Sequence, residues 1–302
     1  MRLIECVPNV SEGRDPAVLE RLVAAVRSTP GVDLLDWSAD PDHNRSVLTY
    51  AGQPDAVLAA TQALCLEAFA SIDMRQHQGA HPRLGAVDVV PFVPLKGITK
   101  EEAVALARRL GEWIGEQGVP VYYYQDAATR PERELLPDVR RGEYEALAAR
   151  IDTPAGAPDA GPAVFNARSG ASIVGVRFPL VAFNVNLATE DLSVAKRIAE
   201  AVRHSGGGYR YVRAMGVDLQ DRGQVQVSLD ITQYEKTPLH RVFETIKNEA
   251  AAYGVAVDGC ELIGLVPVAA FEDTIRHYLQ LRDFSVKQVI ESRLIEDEPS
   301  VG

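Results

Sequence analysis

The chain has 302 residues, 46% hydrophobic and 24% charged, with 31 Lys and Arg against 42 Asp and Glu for a net charge of −11. That composition describes a folded protein with ample core, and at roughly 100–200 residues per domain it allows two domains. The acidic balance argues against a general nucleic-acid binder, although an acidic body can still hold a locally basic cleft. Cys6, Cys65 and Cys260 are odd in number, lack a CxxC pair and lie in apolar runs. They read as three buried thiols in a reducing compartment, not as a disulfide framework or zinc ribbon. Residues 1–10 carry Arg2, Glu5 and Pro8 with no apolar leader core, and the longest apolar stretch, Leu262 to Phe271, is too short for a bilayer. A soluble, cytoplasmic protein is expected, with neither nucleic acid nor membrane as partner.

Periodicity and breakers set out the elements in order. Leu3 to Val7 reads as a strand. Asp15-Pro16, an N-cap followed by an N1 proline, opens a helix to about Ser28. Strands follow at Val32 to Trp37 and Ser46 to Tyr50, with Ser38 to Arg45 as a polar loop. Pro54 opens a helix to about Ile72, and Ala86 to Val93 is an apolar strand. This β-α-β-β-α-β order is the split βαβ plait, an antiparallel sheet with both helices on one face. A Thr99/Glu102 capping box starts another helix to Gln117. Val119 to Tyr124 adds a strand, and Glu132 to Arg150 is charged and helical in its second part. The Pro/Gly/Ala-rich stretch Asp152 to Gly161 is the linker candidate.

The second half repeats this grammar. Strands at Leu180 to Leu187, Arg210 to Leu219, Gln224 to Ile231 and Val255 to Leu265 alternate with helices at Glu190 to His204 and Pro238 to Tyr253. Gln220-Asp221-Arg222-Gly223 is the turn between the middle strands. Phe271 to Leu294 reads as a C-terminal helical segment, and Glu296 to Gly302 as an acidic frayed tail. The expected class is α/β in the α+β plait sense: two tandem ferredoxin-like βαββαβ subdomains, residues 1–178 and 179–302, with a cleft between them. Such clefts are favoured places for small-molecule sites.

Polar residues concentrate in four places. The densest is Arg75 to Asp88 (RQHQGAHPRLGAVD), with His77, His81 and Arg83 just before an apolar strand. The i,i+4 spacing of His77 and His81 would make a zinc pair on a helix. Gly79 between them, Pro82 after His81 and the missing Glu of H-E-x-x-H argue against it, so no metal is expected. A histidine there suits proton transfer at neutral pH, or else decorates a polar loop. The second cluster is Ser38 to Arg45 (SADPDHNR) with Asp36 before it, where Asp40, Asp42, His43, Asn44 and Arg45 supply acids, an amide and a cation. On composition it reads as a solvated Asx-rich turn. The third is Gly161 to Gly170 (GPAVFNARSG), and the fourth His204 to Tyr209, whose glycines match no phosphate-loop pattern.

Glu5-Cys6-Val7-Pro8-Asn9-Val10-Ser11-Glu12-Gly13 resembles the opening of the glutamate formimidoyltransferases, and Ser71 to Asp88 resembles that family's most specific block. Arg141 to Glu145, Gly161 to Gly170, Ala182 to Leu187 and Leu262 to Pro267 continue the resemblance in order along essentially the whole chain. It implies transfer of a formimino group from formiminoglutamate to tetrahydrofolate as co-substrate, within histidine breakdown and one-carbon metabolism. It also implies the two-plait fold with folate in a tunnel, and a homodimer.

Carried over residue by residue, the catalytic base falls on His81. The folate contacts fall on Gly161, Pro162, Ala163, Val164, Phe165, Asn166, Ala167, Arg168, Ser169 and Gly170, and on Gly206 and Gly207. Asp36, Asp40, Asn44, Arg45 and Arg83 are weaker substrate-binding candidates, with arginine suited to substrate carboxylates. Two departures stand out. Ser38 replaces the second Asp of a family D-x-D, which leaves Asp36 or Asp40 as acidic partner for His81. The cyclodeaminase domain of the animal proteins is absent from these 302 residues, so a separate cyclodeaminase is expected downstream. The alternatives are formyl transfer, from N-formylglutamate or 5-formyltetrahydrofolate, and a folate-binding module without catalysis.

Overall fold

The first helix shows how local sequence sets the architecture. The Asp15 carboxylate accepts the N–H groups of Ala17 and Val18 and Pro16 takes the first helical position, so α1 (Pro16–Arg27) starts there. It buries Val18, Leu19, Leu22, Val23 and Val26 on one stripe. The computed structural model describes residues 2–219 and 222–296. The chain divides into two compact units, residues 1–177 and 178–302.

In the first unit, β1 (Leu3–Cys6) and β2 (Asn9–Val10) act as one strand interrupted at Val7-Pro8, since both pair with the same two neighbours. After α1 come β3 (Val32–Asp40), β4 (Arg45–Gly52), α2 (Pro54–Ser71), β5 (Val87–Lys96), α3 (Lys100–Glu116) and β6 (Val121–Gln125). Then follow α4 (Leu136–Val139), α5 (Glu143–Arg150) and β7 (Ser172–Val176). The antiparallel order β3-β4-β1/β2-β5 is that of a ferredoxin-like plait, and β7 and then β6 extend it in parallel beyond β5. α1, α2 and α3 pack on one face, over Ile4, Tyr50 and Phe92. α4 and α5 cover part of the other through Val139 and Leu147 on Tyr122, Tyr124 and Ile173.

The second unit contains β8 (Val181–Leu187), α6 (Leu192–Val202), β9 (Val212–Leu219), β10 (Gln224–Ile231), α7 (Leu239–Ala252), β11 (Val257–Ile263), α8 (Glu272–Leu279) and α9 (Ile290–Glu296). Its strands run β11-β8-β10-β9, all antiparallel, again the plait order. Val185, Leu187 and Val227 meet Ile198 of α6 and Ile246 of α7. The alternating residues Asn186 and Gln226 point to the opposite face.

Several expectations need correction. The stretch 152–161 is no linker but a pinned part of the first unit. Asp159 and Ala160 pair with Val121, Tyr122 donates to Gly156 O, and Arg133 holds the carbonyls of Ala155 and Ala157. β7 was not expected; it inserts between β5 and β6. β3 runs on to Asp40, with Asp40 opposite Arg45, which shrinks the expected loop to residues 41–44. The segment 271–294 is broken after α8, where Gln280 adopts a left-handed conformation. Cys6 and Cys65 are buried but Cys260 is exposed, because β11 is an edge strand. The expected tail beyond Glu296, and Gln220-Asp221 of the expected turn, lie outside the described residues. No helix among the described residues is long and apolar enough to cross a membrane.

Candidate active site

Asp88 is the pivot of the first unit's polar face. It sits at the start of β5 with no exposed surface, where an ionised carboxylate persists only if it is fully partnered. Its Oδ1 accepts the Leu84 N–H at 2.9 Å, fixing the end of the His81-Pro82-Arg83-Leu84 loop. Its Oδ2 accepts Nη1 of Arg45 at 2.7 Å and Nη2 of Arg140 at 2.5 Å. Asn9 Oδ1 takes the rest of the Arg45 fork, from Nε at 3.1 Å and Nη2 at 2.5 Å. Two guanidinium groups therefore flank one carboxylate, and both are nearly buried.

The loop's two histidines differ sharply. His77 Nε2 donates to the Asn44 carbonyl at 2.9 Å while its Nδ1 accepts Nε of Arg83 at 3.2 Å. Both nitrogens are engaged, and burial pushes its pKa down. His81 uses Nδ1 alone, donating to the Pro82 carbonyl at 2.7 Å. A carbonyl can only accept, so Nδ1 carries the proton and Nε2 keeps its lone pair. Burial and the Arg45 and Arg140 guanidinium groups bring His81 down to about 4, against the opposing effects of the Pro82 carbonyl and Asp88. His81 is thus a neutral imidazole at physiological pH. The His43 ring lies edge-on to it at 5.7 Å.

Backbone and side-chain ties assemble the loops around this point. Ser11 Oγ donates to Gly85 O, and the Asn44 amide spans from the Gly13 N–H to Gln78 O. A Cβ on Gly79 would strike the His43 carbonyl. The 161–170 loop closes against the same region. Arg168 O accepts from Met74, Ser169 O from Ala86, and Gly85 bridges Gly170. Gly170 has a φ of 69°, and a Cβ there would overlap the Leu84 carbonyl, so glycine is required. Tyr144 donates to Ala167 O and rests against Phe165.

The family description "Formiminotransferase domain, N-terminal subdomain" matches residues 3–177, and "Formiminotransferase domain" matches residues 182–296. The chain is 47% identical over 296 residues to the glutamate formimidoyltransferase of Streptococcus pyogenes, covering 97% of this chain and 99% of that one. It is 43% identical to that of Thermoplasma acidophilum, over 97% and 98%. Against the rat formimidoyltransferase-cyclodeaminase it is 40% identical across 92% of this chain but 52% of that longer protein. This chain belongs to the formiminotransferase family.

As a formiminotransferase, the chain places its expected site residues unevenly. His81, Arg45, Asn44 and the 161–170 loop come together in the first unit. Arg83 is also there, but its fork is held by Glu145 at 2.6 and 2.8 Å and by Glu143 at 3.2 Å. Arg168 donates to Phe69 O and Ala70 O, completing the C-terminus of α2. Asp36 is exposed on β3 opposite Thr49. Asp40 receives the N–H groups of Asp42 and His43 and pairs with the His43 ring at 3.1 Å. The group on His81 Nδ1 is therefore the Pro82 carbonyl, not Asp36 or Asp40. Gly206 and Gly207 lie in the second unit, in the turn after α6, where Gly207 has a φ of 90°. Among the described residues, no group of three or more His, Cys, Asp and Glu could hold a metal ion.

Sequence reading missed Asn9, Asp88 and Arg140. A signal existed for Asp88, a lone acid entering an otherwise apolar strand. None existed for Arg140, whose partner lies 52 positions away.

Proposed function

We propose that this protein transfers the formimino group of N-formimino-L-glutamate to N5 of tetrahydrofolate, releasing L-glutamate, with His81 as the proton carrier. The observation that carries this reading is the His81 imidazole, neutral, held at Nδ1 and open at Nε2, beside two buried guanidinium groups. Near-full-length similarity to proteins named glutamate formimidoyltransferase supports the substrate pair. The residues present suit an anionic folate. A glycine-bounded loop with Val164 67% exposed packs through Gly170 on Leu84 and Gly85, which follow the His81 loop in the chain.

Tetrahydrofolate supplies a secondary amine, N5, as the nucleophile. As the new N–C bond forms, His81 Nε2 accepts the proton lost from that amine. As the bond to glutamate breaks, the same imidazolium returns the proton to the departing nitrogen. A conjugate acid with so low a pKa donates readily at the second step. An incoming anion near Arg45 and Arg140 raises it, making the imidazole a better base for the first. The 161–170 loop of the first unit contacts folate, and Asn44, Arg45 and neighbouring polar groups of the same unit orient the donor. Orientation of two bound substrates supplies much of the acceleration. Residues 1–178 and 179–302 form the two subdomains of this enzyme, which we place in the cytoplasm as a homodimer serving histidine breakdown.

Purified protein offered tetrahydrofolate with formiminoglutamate, N-formylglutamate or glutamate tests the reading. Glutamate release matching tetrahydrofolate consumption is expected with the formimino donor. Faster release from N-formylglutamate, or none from formiminoglutamate, overturns it.

A further inference from the structure

Arg140 stands in the first unit just after α4 and nearly nine-tenths of its side chain is buried. Its Nη2 bonds Asp88, its Nε is sealed from solvent, and among the described residues neither its Nε nor its Nη1 has a hydrogen-bond partner. Arg45, from β4, is equally enclosed but fully engaged, with Asp88 and Asn9 taking all its nitrogens. Asp88 is the one carboxylate among the described residues that touches either guanidinium. The cluster therefore holds two positive charges and one negative charge in a poorly solvated place. A surplus buried charge is costly unless a partner completes it. The neighbours offer none: His81 is neutral, and Asp40 faces His43. Arg83 differs, because Glu143 and Glu145 already neutralise it.

We propose that Arg140, backed by Arg45, is a carboxylate-binding subsite beside His81. A surplus of one charge matches one carboxylate, whereas a phosphate dianion would overcompensate it. A guanidinium with an open donor edge suits a planar anion. Asp88 is its positioning residue: from β5 it aims both arginines and ties down Leu84, so the subsite and the histidine loop share one anchor. The subsite deepens the proposed function and rests on it for the choice of ligands. Two carboxylates qualify there, that of the amino-acid donor and that of the glutamyl tail of folate.

Binding without turnover tests the subsite separately from the reaction. Titrate L-glutamate, tetrahydrofolate and tetrahydropteroate, which lacks the glutamyl tail, into the parent and Arg140→Gln proteins. Loss of one charge-assisted contact should weaken binding about 10- to 100-fold. Weakened L-glutamate with unchanged tetrahydrofolate assigns the donor carboxylate. Weakened tetrahydrofolate with unchanged tetrahydropteroate assigns the folate tail. Affinities within twofold of the parent for all three ligands overturn the subsite, whether or not transfer is observed. Should Arg140→Gln fail to fold, Arg140→Lys carries the test, since it keeps the charge and loses the fork. It should bind the same carboxylate several-fold more weakly, and parental affinity overturns the proposal.

Discussion

The two units share one strand order, yet they treat the sheet face opposite their helices differently. In the second unit the polar side chains satisfy one another. Gln226 donates to Asn186 at 2.8 Å and to Glu261 at 3.2 Å, and Arg222 reaches Glu261 at 2.5 Å. In the first unit the face ends in an incomplete cluster, with two cations on Asp88 and an imidazole open at one nitrogen. The difference traces to the addition of α4, α5, β6 and β7 to the first plait, which brings Arg140 over β5. Polar groups that close on each other hold a sheet face together, and those left short are the ones positioned to meet a ligand.

Three experiments try to break this contrast, and the largest effect is expected in the first unit. Asp88→Ala removes the one carboxylate among the described residues that pairs with Arg45 and Arg140, and the acceptor for Leu84. Denaturant unfolding should show a loss of about 3–5 kcal/mol, the usual cost of stranding a buried charge. A loss under about 1 kcal/mol would mean the arginines are already balanced. In the second unit, Gln226→Leu removes a bridge between neutral and charged partners. Unfolding should register a loss of about 1–2 kcal/mol, with kcat unchanged if that face is structural; a large kcat loss would erase the distinction.

The smallest effect concerns pH. His81 is lowered to about 4 in the folded chain, while an unfolded histidine titrates near about 6.5. Between those values the unfolded state binds the proton first. The stabilisation from neutral His81 is therefore complete above the unfolded value and lost as pH falls toward about 4. Melting temperatures of parent and His81→Asn across this window should converge as acid is added. A constant difference would place the histidine in an ordinary environment.

How much of this was legible in sequence follows from the range of each interaction. The plait grammar was, because Asp15-Pro16, the Thr99/Glu102 box and the alternating strands act within a few residues. β7 was not: Ser172–Val176 is short, and only its parallel neighbours from residues 89–92 and 121–125 make it a strand. The 152–161 stretch misled because Pro and Gly mark irregular backbone, not where one body ends. At the site, the His81 loop stood out by its density of polar residues. Its separation from His77 did not, since that depends on Asn44 and Arg83 closing both nitrogens of one ring. Arg140 reaches the site only through tertiary structure.

The proton-carrier role rests on the contrast between those two imidazoles, so turnover of His81→Asn and His77→Asn at saturating formiminoglutamate and tetrahydrofolate tests it most directly. The kcat of His81→Asn should fall about 100-fold or more, and that of His77→Asn much less. Near-parental kcat in His81→Asn, or the larger loss in His77→Asn, would contradict it.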